Sequence, residues 1–179
     1  MFLKSLIIFF LSSLLISSGS FASDSSHKGH DMKKMKTKEM KAKTKLSEKE
    51  KSEVLKLLEE NEELHGSFFK YKGEKVAAHS KKMVSLIDKI SHKEIKKLLG
   101  FGKKQLELLT AKRSQKENNQ SYHMFSMAMI HIMNTYELGD KYKGYRCPMV
   151  RKQWVQNTEK MDKVHNPYAA YMPHCGEKL

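Results

Sequence analysis

From Ser47 onward, apolar residues recur every three or four positions. Val54, Leu55, Leu57, Leu58 and Leu64 form one face, the signature of an amphipathic helix. "SEKE" at 47–50 reads as a capping box, in which Ser47 caps the first turn and Glu50 reaches back. "GSFFKYKGE" interrupts the period. A second run carries Val76, Ser80, Met83, Val84, Ile87 and Ile90. "SHKE" at 91–94 reads as another capping box, opening a third helix with Ile95, Leu98, Leu99, Leu106 and Leu109, and "GFG" at 100–102 predicts a kink or a split. "SQKE" at 114–117 caps a fourth helix, which runs through "SYHMFSMAMIHIMNTYEL" to Gly139, a residue suited to a helix end. Helices are expected near 48–70, 74–90, 92–112 and 115–138. No stretch alternates for long in the manner of a strand. The predicted fold class is therefore all-α: an antiparallel three- or four-helix up-and-down bundle. An irregular C-terminal segment is expected to pack across it, the whole domain spanning 47–179.

Two segments precede that domain. Residues 1–22 carry one charge, Lys4, then an apolar run from Leu6 to Ile16, then small residues around Ser20 and Ala22. That order is the pattern of a secretory signal peptide, and the run is short for a bilayer span. The expected location is the periplasm, with secretion as the alternative, and the expected mature chain is soluble. Residues 23–46, rich in lysine, histidine and methionine, have no apolar period and are predicted to be a disordered arm. His27, His30, Met32, Met35 and Met40 recur within it, and imidazole and thioether groups in such a tract can capture soft metal ions weakly.

Charge changes the picture less than it first suggests. The chain has 34 Lys+Arg against 20 Asp+Glu, a net charge of +14. Such an excess suits nucleic acid in a cytosolic protein. An export signal, and lysines without interleaved arginine and aromatic residues, argue against that partner. Weak contact with an anionic membrane surface is the secondary reading of the lysine-rich arm.

The candidate chemistry lies in sulfur. The protein has 2 cysteines, and each stands near a proline and a methionine, in "RCPMVRKQWV" and "YMPHCGEKL". In extended backbone, residues i and i+2 point the same way, so Cys147 and Met149 can face one ion across Pro148. Met172 and His174 share that relation, and Cys175 follows. All three prolines lie in this segment, with Trp154 and Tyr168 as expected anchors against the bundle. The fourth helix places His123, Met127 and His131 on one stripe. Methionines of that kind more often fill core gaps.

The order C-P-M, tryptophan, N-P-Y and M-x-x-C-G-E resembles the bacterial domain-of-unknown-function family 3347. The positions that carry it are Cys147, Pro148, Met149, Trp154, Asn166, Pro167, Tyr168, Met172, Cys175, Gly176 and Glu177. "FSMAMIHIMNTY" is similar to the family's last long helix, so the likeness spans roughly residues 50–177. That domain is also found at the C-terminus of periplasmic membrane-fusion adaptors of copper and silver efflux. The resemblance implies a helical domain in copper or silver handling, with an efflux adaptor or pump component as its partner. Two departures are the short basic "VRKQ" before the tryptophan, and Pro173 with His174 in the closing motif.

Two readings of the cysteines stay open. In one, Cys147 and Cys175 hold Cu(I) or Ag(I), with Met149 and Met172 or His174 as further ligands, because thiolate and thioether sulfur selects such ions. In the other, the same cysteines form a disulfide in a helical interaction module without metal, worth about 3–4 kcal/mol on a chain-entropy account. No enzyme is expected. The sequence holds no C-x-x-C redox pair, haem-attachment motif, phosphate loop or framed pair of carboxylates.

Overall fold

The structure is a computed structural model that describes residues 42–179. The predicted signal peptide and residues 23–41 of the predicted arm lie outside the described residues. Four helices come first: α1 (Glu48–Gly66), α2 (Gly73–Lys89), α3 (Lys93–Glu107) and α4 (Gln115–Thr135). The capping boxes of α1 and α4 form as the sequence predicts, with Ser47 paired to Glu50 and Ser114 to Glu117. The box expected at Ser91 does not form. Ser91 instead donates both its N–H and its hydroxyl to Glu53 of α1, at 2.7 and 2.8 Å. The cap of α3 passes to His92, whose Nδ1 accepts the Ile95 N–H at 3.3 Å.

Each helix packs on the next, and Tyr122 of α4 closes back on α1 by donating to Asn61 and stacks on Phe68 just beyond that helix. Val54, Leu57, Leu64, Met83, Ile95, Leu99, Leu106 and Phe125 are fully enclosed. The "GFG" sequence neither kinks nor splits α3, which continues through it. Gly102 lies against Phe125, 3.2 Å from where a Cβ would stand, so its missing side chain lets α3 and α4 approach. The fourth helix ends at Thr135, short of Gly139, because Tyr136 turns into an isolated parallel bridge with Thr44. Thr44 donates its N–H to Thr135 O and accepts from Glu137 N–H, so the end of the predicted arm is paired to the domain.

The all-α expectation is wrong. A three-stranded antiparallel sheet follows the helices, built from β1 (Tyr142–Cys147), β2 (Lys152–Asn157) and β3 (Glu177–Lys178) in the order β2-β1-β3. Tyr145 pairs with Trp154 and Cys147 with Lys152, leaving Pro148–Arg151 as the hairpin loop. Arg151 takes the positive φ of 52° at its end. The reason the pattern hides β2 is burial on both faces. Trp154, Val155, Gln156 and Asn157 are all buried, and the two polar ones satisfy themselves internally. Asn157 donates to Glu62 of α1 at 2.9 Å, whereas Gln156 donates to Lys163 O at 2.7 Å and accepts from His165 N–H. Strands covered on both sides lose the alternation of a half-exposed sheet.

Candidate metal centre

Cys147 is the last residue of β1, the central strand, and only 1 % of its surface is exposed. Pro148 follows and opens the hairpin loop, where its fixed φ favours the turn. The next two amides, of Met149 and Val150, face the Cys147 sulfur. Cys175 arrives from the other side, just before β3. Its N–H donates to Met172 O at 3.0 Å. Asn166 then clips the loop twice, donating its side chain to Cys175 O at 2.8 Å and its backbone N–H to Pro173 O at 2.7 Å. The two sulfurs stand 2.8 Å apart.

The motif residues that are not sulfur hold this arrangement in place. Gly176 lies on Trp154, and a Cβ there would fall 2.6 Å from the indole Cη2 and 3.1 Å from Arg146 O. Any side chain would push the Cys175 loop off the tryptophan. Asn166 Oδ1 accepts the Tyr168 N–H at 2.9 Å, and the Tyr168 hydroxyl donates to Gln153 O at 2.8 Å, tying the N-P-Y turn to β2. Tyr168 meets Trp154 edge-on and also touches the Tyr122 ring. Glu177 pairs with Arg146 at 2.8 Å.

The pair is asymmetric electrostatically. Burial pushes the Cys147 thiol up, but the hydrogen bond from Cys175, the Val150 and Met149 amides and the Asn166 side chain outweigh it, so its pKa lies below the ordinary thiol value. The Cys175 pKa is raised, first because its thiol donates to Cys147 and then through burial. Cys147 therefore ionises first and Cys175 keeps the shared proton. A thiolate held by amide donors is the form that binds soft metals and attacks disulfides.

The other predicted ligands are exposed. Met149 is 69 % exposed at the tip of the hairpin loop, and Met172 is 42 % exposed. Met172 lines an open groove with Phe69, Tyr168 and Tyr171. The His174 ring is exposed, with Nδ1 on Val164 O at 2.7 Å and its centroid 5.9 Å from that of His165. Among the described residues, no three His, Cys, Asp or Glu side chains converge as a metal-holding group. The structure thus joins Cys147 to Cys175, while Met149, Met172 and His174 are exposed to solvent. Asn166 is the supporting residue whose role sequence reasoning missed, although asparagine before proline marks a turn.

The stripe on α4 divides. His123 accepts the Gln153 N–H at 2.9 Å and so fastens the helix to β2, whereas Met127 and His131 are exposed. Met129 and Met133 fill the core. No helix among the described residues is long and apolar enough to cross a membrane. Compared with protein-family models, curated proteins and solved structures, the chain finds no match.

Proposed function

We propose that the protein is an exported binder of one soft monovalent ion, Cu(I) or Ag(I), taken up by the thiolates of Cys147 and Cys175 in copper or silver handling. The observation that carries this reading is the sulfur pair itself. Two thiols from distant parts of the chain meet at 2.8 Å, with backbone amides directed at the buried one. Such donors stabilise a thiolate, and thiolate is the ligand these ions prefer. The likeness of the C-P-M…C-G-E order to family 3347, and the His27, His30, Met32, Met35 and Met40 arm, point to the same chemistry. Met149 is the nearest thioether in sequence, and its exposure leaves it free to approach an ion. On this reading an efflux adaptor or pump component is the partner that receives the ion.

One observation favours the disulfide reading. Two sulfurs bound to one ion at ~2.3 Å each stand roughly 4 Å apart, wider than the 2.8 Å seen here. Ion binding therefore requires the Cys175 loop to yield, whereas a bridge requires it to close. Titration of the reduced protein with Cu(I) against a chromophoric competitor separates the two. One ion per chain is expected, with affinity falling by at least ~100-fold in Cys147→Ser and Cys175→Ser and by about tenfold in Met149→Leu. No competition by the reduced native chain would leave the disulfide as the function of the pair.

A further inference from the structure

We infer that Cys147 and Cys175 also form a directional thiol–disulfide exchange site, in which partner thiols attack Cys175 and Cys147 is the sulfur that leaves. The inference rests on contact and access, and does not depend on metal uptake. At 2.8 Å the sulfurs are within about 1 Å of the ~2.05 Å of a bonded pair. A partner disulfide can therefore close the bridge, taking two electrons from the two thiols and leaving as two partner thiols. In the reverse direction a partner thiolate must approach one sulfur along the S–S axis, so access decides which is struck.

The two sulfurs differ in that respect. Cys147 is 1 % exposed, closed in by the sheet and the hairpin loop. Cys175 is partly exposed on the terminal loop. Attack on Cys175 forms a mixed disulfide between the partner and Cys175 and expels Cys147 as a thiolate, beside the waiting Met149 and Val150 amides. A second partner thiolate then attacks the partner's own sulfur, which releases a partner disulfide and leaves the Cys175 thiolate. The two electrons gained by the pair come from the two partner thiols. A bridge serving stability alone, with both sulfurs enclosed, has no such point of entry.

The surrounding charge names the partner class. Arg151 and Lys152 line a shallow groove over the buried Cys147 rather than Cys175, and together with the net charge of +14 they favour small thiols carrying negative charge. Glutathione is the probe of that class. The native chain, freed of metal by a chelator, is oxidised with glutathione disulfide and then exposed briefly to limiting reduced glutathione. Acid quenching, alkylation and peptide mapping follow. Glutathione should be found on Cys175 and the alkyl group on Cys147, in at least ~10-fold excess over the reverse placement. Equal labelling, reversed labelling, or a bridge that glutathione does not open would each overturn the inference. Since no metal is present, these results are independent of the Cu(I) titration.

Discussion

His65 brings an ionisable ring to a fully buried position at the end of α1, against Phe69 and beside the backbones of Val155 and His165. Neither ring nitrogen makes a well-formed hydrogen bond. Burial disfavours the imidazolium, and the pKa drops to about 4 from an ordinary value of 6.5. The folded protein thus keeps His65 neutral at pH values where the unfolded chain binds a proton. Its stability is complete above pH 6.5 and falls as pH is lowered toward about 4, where the folded ring also protonates. The loss over that window is on the order of 3 kcal/mol. Urea denaturation at pH 7.5 and pH 5 should show this decline in the native chain and a much smaller one in His65→Leu. An identical decline in both would mean that another group carries it.

The elements divide according to how locally each is determined. Ser47 and Ser114 cap their helices because nothing outside the first turn competes for their hydroxyls. Ser91 has the same local sequence but meets Glu53, a partner 38 residues away, and tertiary contact wins. Ser114→Ala should therefore cost about 1 kcal/mol by losing the cap of α4. Ser91→Ala should cost only a few tenths of a kcal/mol, since its bond to Glu53 is exposed. Urea midpoints of the two variants measure the contrast, and equal losses would contradict it. The same distinction explains what the sequence concealed. The four helices were legible from their own period, to within a few residues at each end. The sheet was not, because Gln156 and Asn157 resemble surface residues until α1 and the 161–165 loop surround them. Tyrosine, tryptophan and valine flanking a proline turn were the available sign of a hairpin. At the site, the meeting of Cys147 with Cys175 was readable from their flanking pattern. Asn166 was harder, because its role depends on a carbonyl nine residues away.

At the scale of the whole molecule, the helices act as a platform for the sulfur pair. His123 and the Ile130 side chain of α4 meet β2 and β1, Asn157 fixes β2 to α1, and Trp154 carries the terminal loop through Gly176. One cysteine is thereby part of the rigid sheet, while the other rides on a loop held by hydrogen bonds. Under the proposed function, that arrangement lets the site open for an ion and close again. A competing source of soft ligands lies in His27, His30, Met32, Met35 and Met40, so stoichiometry alone does not locate the ion. The direct measurement is X-ray absorption at the copper edge on the full chain loaded with one equivalent of Cu(I) under reducing conditions. Two or three sulfur neighbours at roughly 2.2–2.3 Å are expected, reduced to at most one cysteine sulfur in either serine variant. A coordination sphere dominated by nitrogen, or one unchanged when both cysteines are replaced, would contradict it.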